Sequence, residues 1–162
     1  MSAGQIDLLS RLGWSAEHQA GELARLMACE DPDRREDLLA SVSEDLASLD
    51  PQRRVYIVIA RGGALAGFIR LWHSPHVGRW LNDGMVVDPR HRRAGLGLAL
   101  LNRALDEARA RGAADLIAHI SKVNVASIAL HERASFIRGA DQYVNSYGYR
   151  RSGVGWEYQL AL

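Results

Sequence analysis

The segment from Trp80 to Ile120 constrains the fold more than any other part of the chain. It starts with a short β-prone run, Trp80 to Val87, which Asp88 and Pro89 end. Leu96 to Arg111 then carries apolar residues at every third or fourth position and is followed by a glycine, as an amphipathic helix is. Asp115 to Ile120 is a second β-prone run. This order predicts a βαβ unit with the helix packed against the sheet.

The chain before this unit is predicted to be helical up to about Ser48 and then to form strands. Ser15 can cap a first helix that runs to Cys29, and Pro32 suits the first turn of a second helix. The second helix is expected to face the core with four apolar residues, Leu38, Leu39, Val42 and Leu46. Two β-prone runs follow, Val55 to Ala60 and Ala64 to Trp72, and the glycine pair between them predicts a hairpin.

The chain after the unit is predicted to add one helix and two closing strands. The helix begins near Asn124 and contains Ser127 to Arg133, and the strands are Phe136 to Gly139 and Gly155 to Leu160. The predicted fold class is therefore α/β, with one mixed, mostly antiparallel sheet flanked by helices.

Length and composition exclude several other classes. A chain of 162 residues fits one domain, residues 1–162, and 48% hydrophobic residues suit a globular core. One cysteine, Cys29, supports neither a disulfide framework nor a cysteine-based zinc site, and the histidines have no metal-ligand spacing, so no metal is expected. The 20 basic residues are interleaved with 19 acidic ones, which speaks against nucleic-acid binding. Neither a membrane span nor a signal peptide is visible, so a soluble cytoplasmic protein is expected.

The loop between the predicted strand and the strongest helix carries the main functional signal. It reads Arg92-Arg93-Ala94-Gly95-Leu96-Gly97, and its glycines allow a tight turn and close approach to a ligand. The first N–H groups of a helix lack intrahelical acceptors and lie at the positive end of the helix dipole. Together with the neighbouring arginines they predict a binding site for phosphate oxygens, here a diphosphate.

Two familiar diphosphate loops do not fit this segment. A P-loop requires Gly-Lys followed by Ser or Thr, and a dinucleotide fold requires a third glycine where Leu100 stands. Arg92, Gly95 and Gly97 instead match the coenzyme A loop of the GNAT N-acetyltransferases, Arg/Gln-x-x-Gly-x-Gly/Ala. The segment from Asn124 to Phe136 resembles a later motif of the same family, although His131 replaces its usual tyrosine and Ser135 its usual glycine.

This resemblance implies acetyl-CoA as co-substrate and a set of residues that bind it. The diphosphate would lie on the loop, and the pantetheine arm would pair with the backbone of the preceding strand. One face of the later helix would line the arm. The implied coenzyme-binding residues are Met85, Val86, Val87, Arg92, Arg93, Ala94, Gly95, Leu96, Gly97, Leu98, Asn124, Ser127 and His131.

Two residues are candidates for catalysis in such a reaction. An alkylammonium has a pKa near 10.4, so a base must take its proton before it attacks a thioester. Asp83 is the candidate base, and strict strand alternation would place it on the face of Met85 and Val87; it could equally be a strand-end residue. His131 is the candidate acid for the leaving thiol, although a histidine that only packs on the helix fits the sequence as well.

The resemblance implies transfer of an acetyl group from acetyl-CoA to a primary amine by direct attack on the thioester. A small-molecule acceptor is the first expectation, because no recruiting module accompanies the domain. The alternatives are acetylation of a protein at a lysine or N-terminal amine, and a non-catalytic coenzyme A sensor. No nucleic-acid or membrane partner is expected, and a homodimer stays open. Three tyrosines with Asn145 form a segment that could wall an acceptor pocket or simply pack as a hairpin: Tyr143, Tyr147 and Tyr149.

Overall fold

The computed structural model describes residues 4–162, so residues 1–3 of the predicted domain lie outside the described part. The helices are α1 (Ala16–Met27), α2 (Arg35–Ala47), α3 (Leu96–Ala110) and α4 (Val125–Arg133). The strands are β1 (Gln5–Leu8), β2 (Arg54–Arg61), β3 (Ala64–Ser74), β4 (Arg79–Val87), β5 (Asp115–Ser121), β6 (Ile137–Arg138), β7 (Gln142–Val144), β8 (Arg150–Ser152) and β9 (Gly155–Ala161). Short 3₁₀ turns cover Leu9–Arg11, Pro32–Arg34 and Pro89–His91.

Seven strands form one sheet in the order β1-β2-β3-β4-β5-β9-β6, while β7 and β8 form a separate hairpin. All neighbours in the large sheet pair antiparallel except β4 and β5, which are parallel and connected through α3. The predicted fold class and the predicted βαβ unit are therefore confirmed. No helix within residues 4–162 is both long and apolar enough to span a membrane.

The N-terminal region differs from the prediction in two places. Gln5–Leu8 is a strand, not part of a helical region, because it pairs with the edge of β2 from Gln5↔Ala60 to Leu8↔Ile57. A four-residue strand carries too little alternation to be recognised without knowing its partner. In α2, Leu39 is exposed rather than core-facing, and Val42 is the buried residue of that helix.

Two apolar layers sit on opposite faces of the sheet. On one face, α1 and α2 pack against β2 and β3 through Leu23, Val42 and Phe68. On the other face, α3 covers the sheet with Leu101 and Leu105, and residues of α4 pack beside it. One face of β4 therefore lies on the side of α3, and the other lies on the side of α1 and α2. The direction of each side chain of β4 determines which of these helices it can contact.

An ion-pair cluster around the buried Asp88 carboxylate fixes the end of β4, just before the predicted coenzyme loop. Arg25 of α1 donates to Asp88 at 2.9 Å, to Leu65 O at 2.7 Å and to Glu22 at 2.9 Å. Arg90 also donates to Asp88, from its backbone and from its guanidinium. These donors hold the pKa of Asp88 well below its usual range. The cluster thus anchors the turn that leads into the loop.

Replacing Asp88 by asparagine is expected to destabilise the fold at neutral pH but not in acid. A carboxyl group whose pKa is lowered by folding contributes stability above its unfolded pKa, near 3.9, and loses it as the pH falls through the folded value. The loss at pH 7 should be about 1–3 kcal/mol, as for hydrogen bonds to charged groups. Urea unfolding of both proteins between pH 7 and pH 2 measures this difference. A gap that stays constant below pH 4 would contradict the assignment.

Candidate coenzyme and acceptor site

The site begins where β4 and β5 part. The two strands share only the pairs Leu81↔Ile117 and Asn82↔Ala118. Beyond Asn82, β4 continues to Val87 with a strand partner on its β3 side only. The divergence opens a gap in the sheet, and the gap leads into a cavity of about 930 Å³. β4, β5, α4 and the β7–β8 hairpin all contribute residues to its wall.

The loop before α3 presents a row of free backbone donors near this cavity. Arg93 and Gly95 both adopt left-handed backbone conformations, with φ of 61° and 76°. Within residues 4–162, none of the N–H groups of residues 93–98 has a hydrogen-bond acceptor. They surround the N-terminus of α3, where the helix dipole adds positive potential. This is the geometry that binds phosphate oxygens in other proteins.

Gly97 allows the first turn of α3 to approach α4. A Cβ at this position would lie 3.3 Å from Leu130 Cδ2 and 3.9 Å from Val87 Cγ2. That is tighter than ordinary van der Waals contact with Leu130, so a side chain at position 97 would push α4 away. Glycine thus suits the two positions for different reasons. Gly95 has a left-handed backbone, whereas Gly97 leaves no room for a side chain between α3 and Leu130 of α4.

The arginines around the loop are partly engaged by the protein itself. Arg92 donates to Val87 O at 3.2 Å and to Glu30 at 2.5 Å, and Arg90 is tied to Asp88. Arg93 forms no ion pair with any described residue. Arg93 can therefore bind an anionic ligand without breaking an existing ion pair, whereas Arg90 and Arg92 cannot.

A β-bulge in β4 changes the predicted direction of Asp83. Between the pairs Ile69↔Met85 and Leu71↔Asn82, Arg70 alone stands opposite Asp83 and Gly84, and Gly84 has a φ of 147°. The extra residue shifts the alternation by one. Met85 and Val87 pack with the core on the α3 side, whereas the Asp83 carboxylate contacts Arg70 on the α2 side. The prediction that Asp83 shares their face is wrong for this reason.

Asp83 belongs to a half-buried polar cluster that reaches back to α2. Its carboxylate lies 2.8 Å from Arg70 Nη2, and Arg70 also donates to the Tyr56 hydroxyl at 3.2 Å. The Tyr56 hydroxyl donates to Asp45 of α2 at 2.7 Å, and Arg54 forms a close ion pair with Asp45. Burial raises the pKa of Asp83, although the charge of Arg70 opposes this.

His131 is buried in the wall of the cavity and both of its ring nitrogens are engaged. Nδ1 lies 2.8 Å from Ser127 O, so it must donate its proton there. Nε2 lies 3.1 Å from the Asn82 amide nitrogen and accepts from it. Burial also lowers the pKa of His131, which favours the neutral ring. In this tautomer the neutral ring has no N–H left for a leaving thiolate.

The remaining residues of α4 take up the predicted positions beside the cavity. Asn124 caps the helix, with its side-chain oxygen accepting from Ser127 N at 3.1 Å. Asn124, Ser127 and Leu130 all line the cavity with His131. Ser135, at the end of α4, has a φ of 72°, a left-handed conformation that glycine adopts most readily.

The β7–β8 hairpin covers the cavity on the face opposite α3. Tyr143 stacks on His119 with ring centroids 4.2 Å apart, and Tyr147 contacts Trp72 at 5.3 Å. The Ser74 hydroxyl donates to Ser146 O at 2.5 Å and ties the hairpin tip to β3. The tyrosine-rich segment is thus both a packed hairpin and a wall of the cavity, while Tyr149 is exposed.

Sequence reasoning did not find three contributors to the site. Arg70 pairs with Asp83, Asp45 pairs with Arg70 from the other side, and Asn82 holds His131. Asn82 stands next to the predicted base and could have been noticed there. Arg70 and Asp45 offer no local signal, because Arg70 meets Asp83 through the pairing of β3 with β4, and Asp45 meets Arg70 through the packing of α2.

Comparison with known proteins agrees with this geometry. Residues 20–136 match the Acetyltransferase (GNAT) family, so the chain belongs to that family. It is 33% identical over 87 residues to streptothricin acetyltransferase of Streptomyces lavendulae, which covers 54% of this chain and 46% of that protein. It is 44% identical over 52 residues to the [ribosomal protein bS18]-alanine N-acetyltransferase of Escherichia coli, 32% of this chain and 35% of that protein. The matches thus span about half or less of these relatives.

Solved structures share the whole fold at low sequence identity. A GNAT-family protein from Desulfovibrio desulfuricans superposes with a TM-score of 0.76 and 20% identity, covering 98% of this chain and 99% of its own. An aminoglycoside 6'-N-acetyltransferase complexed with coenzyme A gives a TM-score of 0.72 and 15% identity, covering 97% of this chain and 96% of its own. These likenesses establish the fold.

Proposed function

We propose that this chain transfers the acetyl group of acetyl-CoA to a primary amine by direct attack of the amine on the thioester. The observation that carries the proposal is the row of free N–H groups at residues 93–98, next to a gap between β4 and β5. Family membership supports it, because the curated relatives are named as acetyltransferases of streptothricin, of an alanine of bS18 and of L-methionine sulfoximine.

The coenzyme would be held by backbone groups more than by side chains. Residues 93–98 offer donors to the diphosphate, and Arg93 adds an unpaired charge. β4 beyond Asn82 has no second strand partner, so a pseudopeptide arm can pair there as an added strand. The same strand can offer an N–H to the thioester oxygen, where negative charge grows as the amine adds. Acetyl-CoA supplies the activated acyl group. The protein positions the thioester and donates hydrogen bonds to its oxygen.

Departure of the thiolate needs little help from the protein. A thiol has a pKa near 8.5, so the thiolate is a good leaving group at neutral pH. His131 is neutral and donates to Ser127 O, so we assign it a positioning role. It holds Asn82, and with it the point at which β4 leaves β5. Asp83, predicted as the base, is paired with Arg70 and is assigned to attract the cationic acceptor.

A small-molecule acceptor is the first candidate. The β7–β8 hairpin covers the cavity beside the gap and contributes Tyr143 and Tyr147 to its wall, which suits a small amine. The exposed Tyr147 and Arg151, which line the cavity, would also contact a longer acceptor. A protein N-terminal amine is therefore the second candidate, in line with the bS18 relative.

The proposal is tested by measuring thiol release from acetyl-CoA with a panel of amines. The panel contains streptothricin, an aminoglycoside, methionine sulfoximine, a polyamine and a peptide with an N-terminal alanine. Calorimetry with acetyl-CoA runs alongside. Binding together with amine-dependent thiol release supports the proposal and identifies the acceptor class. Binding without release for any amine would favour a sensor, and no binding to the folded protein would overturn the coenzyme site.

Replacing His131 by glutamine is expected to lower kcat by less than about tenfold and to leave the alkaline limb of the pH profile in place. Glutamine can still exchange hydrogen bonds with Asn82 but cannot transfer a proton in this range. If His131 were the acid for the leaving thiol, kcat would fall about 10²-fold or more, as for a lost general acid. Initial rates from pH 6 to 10 with the best amine of the panel separate the two results.

A further inference from the structure

A row of ionisable side chains crosses the sheet on the face that carries α2 and the β7–β8 hairpin. The row comprises Tyr56 of β2, Arg70 of β3, Asp83 of β4, His119 of β5 and Glu157 of β9. Two neighbouring pairs in this row are direct partners in the strand register, Tyr56↔Arg70 and His119↔Glu157. Asp83 stands opposite Arg70 at the bulge. Five consecutive strands of the sheet thus each place one polar residue in the same line.

The gap between β4 and β5 interrupts this row between Asp83 and His119. The last parallel pair is Asn82↔Ala118, so Asp83 and His119 are the next residues on each strand. Ala118 and Ile120 pack in the core on the α3 side, which turns His119 to the opposite face. Asp83 contacts Arg70 on that same face. Asp83 and His119 both line the cavity. A ligand in the gap therefore has one of them on each side.

The two flanking groups differ in how free they are to take a proton. The Asp83 carboxylate lies 2.8 Å from Arg70 Nη2, so its oxygen is already engaged by a cation. His119 Nε2 lies 3.1 Å from Glu157 Oε2 and can donate to it. Nδ1 of His119 then carries the free lone pair, and it has no hydrogen-bond partner within residues 4–162. Tyr143, stacked at 4.2 Å, fixes the plane of the ring.

We propose that His119 is the catalytic residue that removes the proton from the acceptor's ammonium group, and that Glu157 positions it. This inference rests on the proposed function. An N–H bond of the ammonium breaks, and its proton goes to His119 Nδ1. The imidazolium that forms is stabilised by the Glu157 carboxylate. A histidine is suited to this step because its charge changes between about pH 5 and 8.

The freed lone pair of the amine then forms the new bond to the acetyl carbon. The C–S bond breaks, and its electron pair leaves on sulfur as the thiolate. The nitrogen loses its second proton as the amide forms, and the thiolate takes up one proton. His119 returns its own proton to water, so one amide, one thiol and one proton result. Asp83, held by Arg70, attracts the ammonium from the other side of the gap.

The first test is the pH profile of His119→Gln with the best amine of the panel. We expect kcat to fall about 10²–10⁴-fold, as for a lost general base, and the acidic limb of kcat/KM to disappear. The affinity for acetyl-CoA should be unchanged. The groups that face the ring are Glu157 of β9, Tyr143 of β7, Asp83 across the gap and Arg151 of β8 at the cavity wall.

Three further variants make the outcome specific. Glu157→Gln should lower kcat and leave KM for the amine unchanged, because the imidazolium that forms loses the carboxylate beside Nε2. Asp83→Asn should raise KM for the amine and leave the limb where it is. His73→Gln is the matched control, because His73 is a half-buried strand histidine that is not part of the cavity wall, and its activity should equal the wild type.

Each result decides between the inference and its rival. If Asp83→Asn abolishes the acidic limb while His119→Gln retains activity, Asp83 is the base and the inference is overturned. If wild-type protein binds acetyl-CoA but acetylates no amine of the panel, the proposed function fails and takes the inference with it. Circular dichroism and acetyl-CoA affinity show whether His119→Gln is folded. Should it unfold, the kcat of Glu157→Gln decides alone, and an unchanged kcat overturns the inference.

Discussion

Replacing Gly95 by valine is expected to abolish detectable binding of acetyl-CoA, a loss of affinity of at least about 100-fold, in a protein that still folds. Gly95 has a φ of 76°, and a β-branched residue in that conformation is strained. The loop can relieve the strain only by leaving the left-handed region, and that rotation turns the N–H groups of residues 93–98 away from a common point. Those groups carry the proposed diphosphate contact, so binding is lost with them.

Gly112 offers a matched control at the other end of the same helix. It has a φ of 74°, and like Gly95 it has no heavy atom within 4 Å of an added Cβ. Gly112→Val therefore introduces similar backbone strain without touching the loop. Both variants should lose similar stability, but only Gly95→Val should lose the calorimetric signal with acetyl-CoA. Equal affinity in the two variants would show that the loop does not hold the coenzyme.

Replacing Arg70 by methionine is expected to destabilise the protein at pH 7 by about 3–5 kcal/mol, the usual result of removing one partner of a buried ion pair. Arg70 stands between two carboxylates, 2.8 Å from Asp83 and 3.6 Å from Asp45. Its side chain is 20% exposed and that of Asp83 is 13% exposed, so water compensates little for the loss. Both carboxylates would be left without this cation, and Tyr56 would lose a donor.

The loss should depend on pH in a defined direction. Burial raises the pKa of Asp83 even beside Arg70, and removal of the cation raises it further. A raised carboxyl pKa contributes stability below the unfolded value, near 3.9, and this contribution is lost as the pH rises through the folded value. The destabilisation of Arg70→Met should therefore be small near pH 4 and complete at pH 7.

The double variant Arg70→Met/Asp83→Asn separates the charge from the packing. Asparagine removes the stranded charge, so the double variant should be more stable at pH 7 than Arg70→Met alone, and its stability should vary less with pH. Urea unfolding at pH 4, 5.5 and 7 measures all three proteins. A destabilisation by Arg70→Met that is equal at every pH would contradict the role assigned to the ion pair.

The sequence predicts the local geometry of those parts of the candidate site that are close together in the chain. Gly95, Gly97 and the apolar repeat of α3 lie within one strand–loop–helix segment, and backbone conformation alone determines how that segment presents its N–H groups. Asn124, Ser127 and His131 lie on one face of a helix for the same reason. In each case the spacing along the chain determines the spacing in the structure.

The acceptor side depends on contacts between residues that are far apart in the chain. The direction of Asp83 follows from a one-residue bulge at Gly84, which alternation along β4 does not reveal. Glu157 meets His119 because β9 enters the sheet beside β5, and 38 residues separate them. His131 finds its partner Asn82 at a distance of 49 residues. No window along the sequence contains both members of these pairs.

The β7–β8 hairpin belongs to a different sheet from the strands that it covers. One hydrogen bond from Ser74 and the ring contacts of Tyr143 and Tyr147 tie it to them. The loop of residues 93–98 before α3 belongs to a different segment of the chain from the hairpin. Under selection for a new acceptor, the hairpin can therefore diversify while the loop proposed to hold acetyl-CoA stays constant. Proteins with this architecture can therefore change their acceptor specificity without changing the loop before α3.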